Sequence, residues 1–498
     1  MGLFDFMKPA PVSESLADVS LHLEDRGWRH LTEDPDTVSD VARLNAARDA
    51  RALVVAHPLV RRGVALRCSY VHGNGGPQVT VEHENPDVAD TIATWWAMPE
   101  NMKAVTGPEA RARLERSLTT DGNVFIAAFT QPTTGVVRLR TLPFEEITAI
   151  HTDPGDRLTV QFYERRHTVN DREQVTLYPD ITHQPARRPT MVDGKPVRWD
   201  APVRHVKIND LDGWLYGLSD LVSIAPWARA YRDFLADWAK LMRSLSQFAW
   251  RATADGKRAR RAAQALTRMP AGVPELGSSA GATYVQGVGE SLEAIPKTGA
   301  TIDADSGRPI LAMIASGLDV PITMLTGDPG VTGARATAET LDEPMYLAMQ
   351  ARRDVWAAAY RDLTDYTIEA AVRAPQGPLR GVIVRDEWAQ TERAELDGTV
   401  PVVKIAWPDL STNTVSELVN ALATADATGK LPPLVIAREL LTALGVDNID
   451  DVLDELTDDE GQWRDPYRTV GGVLTRAVKD GTDPASLLDQ FGRFGSAE

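Results

Sequence analysis

The 498-residue sequence contains a single cysteine, Cys68. One thiol makes no disulfide within the chain, and it supplies neither a cysteine zinc site nor a CxxC redox pair. A small packing residue in an apolar stretch is the ordinary role for such a cysteine. No run of about 18–20 apolar residues occurs, so no segment reads as a membrane-spanning helix. Cations are in the minority: 53 Lys and Arg face 70 Asp and Glu, for a formal charge of −17. An acidic surface repels phosphate backbones, which argues against a tight, non-specific nucleic-acid binder built on clustered Lys and Arg. It does not exclude a protein that DNA passes through without sticking. The start, MGLFDFMKPAP, is too short for a signal peptide and lacks a basic leader, and Phe6 stands where a myristoylation motif after Gly2 needs Ser or Thr. These features predict a protein made and kept in the cytosol, or in a particle assembled there.

The rest of the composition is ordinary, 43% hydrophobic and 25% charged, on a length that suits two to four domains at ~100–200 residues each. Residues 37–72 read as helix, with Val38, Val41, Leu44, Ala47, Leu53 and Val54 near helical spacing and a second helix starting at Pro58. Gly73-Asn74-Gly75-Gly76-Pro77 ends it. Helices follow near 86–96 and 108–118. At Asp121-Gly122-Asn123 the pattern turns to strands, at 124–129, 136–142, 147–151, 158–165, 175–178 and 203–208. A long helix then begins, capped by Ser219 or Ser223. Ile224, Trp227, Tyr231, Phe234, Trp238, Leu241, Leu245 and Phe248 step along it by three and four. Such a stripe is usually core, but two long helices flanking a small insert can also bury one face against neighbouring copies of the chain.

Residues 250–297 read as that insert, with a basic helix at 256–269 and a Gly/Ser-rich stretch at 272–281. A helix at 309–318 ends at Val320-Pro321, and a Gly- and Thr-rich loop covers 326–333. The next helix spans 337–372. Leu341, Met345, Ala348, Arg352, Trp356, Tyr360, Leu363 and Thr367 share one stripe of it, and Pro344 predicts a kink. Strands at 382–385 and 402–407 precede helices at 415–428, 432–444 and 449–456, the first opened by a Thr414/Glu417 capping box. The tail after Asp458 reads as weakly ordered.

No catalytic constellation emerges. Gly277-Ser278-Ser279-Ala280-Gly281 matches GxSxG, but its flanks are loop-like and no histidine follows Ser279, so the hydrolase order fails. Gly327, Gly330 and Gly333 precede a helix without the GxxxxGK[ST] run of a phosphate loop, and His83-Glu84 lacks the second histidine of a zinc helix. The acidic run from Asp450 to Glu460 lacks the EF-hand glycine and spacing. Lys257, Arg258, Arg260 and Arg261 form the one concentrated basic patch. It reads either as a solvated helix face or as a contact for an acidic partner or passing phosphates.

In their order these pieces resemble the portal proteins of tailed bacteriophages, especially phages of actinobacteria. The resemblance rests on Asp121-Gly122-Asn123-Val124 entering the β block and on Tyr216-Gly217-Leu218-Ser219 opening the long helix. After the insert come Gly317-Leu318-Asp319-Val320-Pro321, Leu325-Thr326-Gly327 and Ala334-Arg335-Ala336-Thr337-Ala338-Glu339. It covers roughly residues 38–460. It implies an α+β, mostly helical portal fold. Residues 1–218 would be N-terminal helices and a β-rich wing, 219–248 a stem helix, 249–302 a small α/β clip and 303–318 a second stem helix. A tunnel loop at 319–336, a long wing helix with C-terminal wing strands at 337–410, and a crown and tail at 411–498 complete the expectation.

The implied function is a non-enzymatic ring, twelve-fold in assembled virions, at one capsid vertex. It would serve genome packaging, retention and ejection and head–tail joining, with no cofactor, no metal and no membrane. Implied partners are double-stranded DNA in the channel, the terminase large subunit, a head–tail adaptor, the major capsid protein and scaffold. The implied location is the virion, assembled in host cytoplasm. Thr326, Gly327, Asp328, Gly330, Thr332, Gly333, Arg335 and Thr337 would belong to the channel, and Lys257, Arg258, Arg260 and Arg261 to the clip contact. The competing readings are another capsid-associated scaffold or adaptor, and a serine hydrolase using Ser279.

Overall fold

Proline marks where the early helices begin. Helix α1 (Asp40–Ala56) hands over through His57 to α2 (Pro58–His72), and Pro86 and Pro108 open α3 (Pro86–Trp96) and α4 (Pro108–Asp121). At the first helical position a proline loses no hydrogen bond and brings its φ preset. The caps add to this: the Asn85 side chain accepts the Asp87 N–H at 3.0 Å. The computed structural model describes residues 40–73, 75–185, 187–247, 251–253, 284–286, 304–327, 335–385 and 392–408, with shorter pieces between 419 and 457. The chain divides into two units, 1–409 and 410–498, and its architecture is α+β.

In the first unit β2 (Asn123–Thr130) lies between β3 (Val137–Leu142) and β7 (Val203–Lys207), antiparallel to both. Its apolar sequence NVFIAAFT fits a strand whose first six residues are buried. The outer edge of β3 is closed by side chains: the amide of the buried Asn101 accepts from Leu139 N–H (2.8 Å) and donates to Val137 O (3.2 Å), and Trp95 Nε1 donates to the same carbonyl (3.1 Å). A second antiparallel sheet orders β4 (Ile147–Asp153), β5 (Asp156–Val169) and β6 (Arg172–Pro179). Phe125, Ile147, Tyr163 and Tyr178 form the core between the sheets, with Ala47 of α1 packed in. His205 stacks on Phe125 at 4.2 Å and burial holds it well below the ordinary histidine range, so it stays neutral.

The long helices follow: α5 (Ala225–Gln247), α6 (Arg308–Gly317), the short α7 (Ile322–Thr326) and α8 (Arg335–Arg373). Between α5 and α6, β8 (Arg251–Thr253) pairs in parallel with β9 (Tyr284–Gln286). After α8, β10 (Val382–Arg385) pairs with β11 (Glu392–Glu395), and β12 (Val402–Ala406) pairs with β1 (Gln78–Glu82). In the second unit α9 (Pro433–Ala443) packs against α10 (Ile449–Glu455).

Several elements differ from the sequence expectation. The long helix starts at Ala225, not Ser219, because residues 219–224 form turns that Ser219 itself organises: its Oγ donates to Thr119 O (2.9 Å) and accepts from Leu221 N–H (3.0 Å). Strand β5 runs on to Val169, because β6 pairs with the polar stretch beyond Arg165 over its whole length. Strand β1 was not expected, since its partner lies more than 300 residues away. Helix α8 begins at Arg335, two residues before the expected start, and contains Pro344. Of the helix expected at 415–428, residues 421–425 are helical and most of the rest lies outside the described residues.

The two sequence motifs Asp121-Gly122-Asn123 and Tyr216-Gly217-Leu218-Ser219 meet. Asn123 Nδ2 donates to Gly217 O at 2.8 Å and its Oδ1 accepts from Gly217 N–H at 2.8 Å. Ile208 N–H donates to Gly122 O at 3.1 Å, and Leu218 N–H to Ile208 O at 2.9 Å. A Cβ on Gly217 would run into the backbone oxygens of Ile208 and Gly122, neither of which can rotate away. Gly217→Ala is therefore expected to lower stability by about 1–3 kcal/mol. Gly155→Ala, whose Cβ meets only Asp153 Oδ1 at 3.4 Å, should stay within about 0.5 kcal/mol. Urea midpoints measured at constant slope check both.

Candidate functional site

Two glycines bring α5 and α6 together. Gly317 lies against Ile224, and Gly307, at the start of α6, lies against the Phe234 ring. The contact order makes the pair antiparallel. It buries only one end of the aromatic stripe. Ile224 and Ala228 are buried, Trp227, Tyr231, Phe234 and Trp238 are half-buried, and Leu235 and Met242 are 39% and 45% exposed. Trp238 Nε1 is shielded yet has no hydrogen-bond partner among the described residues. The stripe read from the sequence is real, but in the single chain it is not a finished core.

The segment before residue 328 and the middle of α8 are both seated on α2. Arg62 Nε donates to Met324 O at 3.0 Å, and Leu318 and Leu325 pack onto Gly63. The buried Arg353 of α8 donates to Val71 O (2.8 Å) and Tyr70 O (3.1 Å), the last carbonyls of α2, and to Pro408 O (2.7 Å). A guanidinium there satisfies the open end of a helix and complements its dipole.

Beneath this seat runs an ion network. Arg67 of α2 meets Asp220 at 3.1 Å and Asp319 at 2.7 Å. Arg352 of α8 pairs with the same Asp220 and lies 3.6 Å from Glu115 of α4. Trp356 Nε1 donates to Glu115 at 2.6 Å. Burial pushes Glu115 up from the usual carboxylate value, against the pull of Arg352 and the Trp356 N–H. Burial also opposes the charge of Arg352, but Glu115 and Asp220 outweigh it and hold the guanidinium above its usual value. Asp220 follows the 216–219 motif and Asp319 belongs to the 317–321 motif. The neighbourhoods of two sequence motifs, 216–219 and 317–321, therefore converge here with α2, α4 and α8.

The candidate residues named from the sequence are distributed as follows. Thr326 ends α7, exposed, its Oγ1 donating to Ile322 O at 2.9 Å, and Gly327 takes a left-handed φ of +72° as its cap. Arg335 and Thr337 lie in the first turn of α8. Asp328, Gly330, Thr332, Gly333, the basic group Lys257, Arg258, Arg260 and Arg261, and Ser279 lie outside the described residues. Sequence reasoning missed Arg62, Arg67, Glu115, Asp220 and Arg353. Arg352 left a trace, as a charge interrupting an apolar stripe. Among the described residues no group of His, Cys, Asp and Glu is arranged to hold a metal ion, and no helix is long and apolar enough to cross a membrane. Burial pushes the Cys68 thiol up to about 12, which leaves it unreactive at neutral pH.

No family model and no curated protein matches the chain. Among solved structures it is similar to a chain in the virion of a native gene transfer agent particle, at 17% identity over 81% of this chain and 93% of that one, with a TM-score of 0.43. It is also similar to a chain in the neck of the native particle computed with C12 symmetry (15% identity, 80% and 93% covered, TM-score 0.41). A third is in the neck of the empty particle computed with C6 symmetry (17%, 80% and 93%, 0.39).

Removing Arg352 would leave the fully buried Glu115 without its ion-pair partner, and Asp220 with Arg67 as its remaining one. Arg352→Ala is expected to lose about 3–5 kcal/mol, while Arg62→Ala, which gives up one exposed hydrogen bond, should lose no more than about 1.5 kcal/mol. Equilibrium unfolding of the two variants separates these outcomes.

Proposed function

We propose that the chain is a portal subunit of a tailed-phage-like particle, a copy of a ring that conducts double-stranded DNA and performs no catalysis. The observation that carries this reading is the half-exposed face of the α5/α6 pair. An amphipathic helix of this length leaves Leu235, Leu241 and Met242 in water only at a loss of roughly 25 cal/mol per Å² of apolar surface. Neighbouring copies standing side by side recover that loss. The α5/α6 pair is then the stem, β8 and β9 belong to the clip between its helices, and residues 319–336 are the tunnel loop held by α2. The sheets are the wing and the second unit is the crown.

The charge balance supports a conduit. A surplus of acid, −17 overall, keeps phosphate contacts few, and each contact made must be broken as DNA slides. Thr326 and Gly327 at the loop root offer small and hydroxyl groups to the channel. The basic group 257–261 would meet the terminase large subunit during packaging and the head–tail adaptor afterwards. The major capsid protein and scaffold would surround the ring in the virion.

Three outcomes test this. Purified protein should form rings with a central hole in electron micrographs. Leu235→Glu should abolish the rings while leaving the melting temperature of the single chain unchanged; rings that survive the charge would mean that this face is not the contact. Deleting residues 328–333 should leave rings intact but impair packaging or DNA retention. Loss of the ring on deletion would make the segment structural instead.

A further inference from the structure

A cavity of about 570 Å³ opens between α8, the turn at 181–184 and strands β11 and β12. Three carboxylates of one α8 face, Asp362, Asp365 and Glu369, line it, spaced so that they stack along the helix. Arg361 and Arg393 also line the cavity, and Arg373 and Glu392 act on Glu369 in opposite directions through space, but the arginines that form ion pairs here pair with acids other than Asp365 and Glu369. Arg204 of β7 pairs with Asp362 at 2.6 Å. Arg373 pairs with Glu392 of β11, and Arg188 lies 3.6 Å from the same carboxylate. Glu369, only 5% exposed, accepts one hydrogen bond, from the neutral amide of Gln184 at 2.9 Å. Asp365 makes no hydrogen bond or ion pair among the described residues; Arg361 and Arg393 act on it only through space. The remaining titratable group of the turn, His183, is held below its ordinary range by burial, so it adds no charge near neutral pH. Asp180, behind the turn, adds to the negative field at Asp362.

We propose that Asp365 and Glu369 form a proton-sensitive clasp: protonated, they let the 181–184 turn and β11 close on α8, and ionised, they loosen both. Glu369 is buried and Asp365 half-buried, and a desolvated carboxylate without an ion-pair partner is stable only when neutral, or when water reaches it. The cavity gives water that access once the surrounding elements part.

Burial raises both groups, Glu369 to about 7 and Asp365 to about 6, the latter also repelled by Asp362. Groups raised in the folded state contribute fully below the ordinary carboxylate value. That contribution is lost as the pH climbs through about 6 and then about 7.

Hydrogen exchange of the full chain between pH 5.5 and 8, corrected for the intrinsic chemical rate, reads the clasp directly. Amides of 181–184 and 392–395 should exchange about tenfold faster at the upper end, the factor carried by one unit of pKa difference. Amides of β2 and β3 should not change. The variant Asp365→Asn/Glu369→Gln should stay protected at every pH. Should that double variant fold poorly, each single variant should halve the pH span, and pH-difference infrared spectra of the native chain should show protonated-carboxyl bands near neutral pH. A pH-independent native profile, or a slope in the amide variants equal to the native one, overturns the proposal.

Discussion

Arg352 is 6% exposed and Arg67 4%, and guanidinium groups at that depth are tolerable only beside carboxylates they can reach. The chain answers with Glu115, Asp220 and Asp319, each from a different segment. Asp220 is shared by both arginines, so the turns that lead into α5 cannot move without unpairing two charges. Asp319 does the same for the exit of α6. The α5/α6 pair is thereby fixed at its root to α2, α4 and α8, and farther along Phe234 packs against Gly307.

A rigid root and an open outer face suit an element that is completed by assembly. The hydrogen-bonded knot of Asn123 and Gly217 adds a second attachment to the β2 sheet. Displacement at the root of α5 would therefore be felt at the β2 sheet through these hydrogen bonds. The α2 helix plays a corresponding role for α7 and for the middle of α8, through the exposed Arg62 on Met324 O and the buried Arg353 on Val71 O.

Much of the fold was legible in the sequence, and the reason is local. Prolines at helix starts, the 3–4 stripe of α5 and the alternation of β3 depend on near neighbours. The β1–β12 pairing was not, because five-residue strands separated by more than 300 positions carry no local signal. The candidate site was half legible. The motifs around 121–123, 216–219 and 317–321 stood out, but not what they do, since Asn123 and Gly217 exchange hydrogen bonds across 94 positions. Arg67 and Glu115 read as ordinary helix-face charges. Only Arg352, set in an otherwise apolar stripe, betrayed a buried partner. Ser219, one of the two serines expected to cap α5, instead fixes the turn before it.

The central claim is one of place as well as shape: a ring of this chain at one point on a particle, through which DNA passes. Labelling the chain in the parent particle and imaging the label by electron microscopy tests it most directly. The account predicts a single labelled vertex per particle, coaxial with the tail, with ring density at the label. Label at every vertex, or at the tail tip, would contradict it.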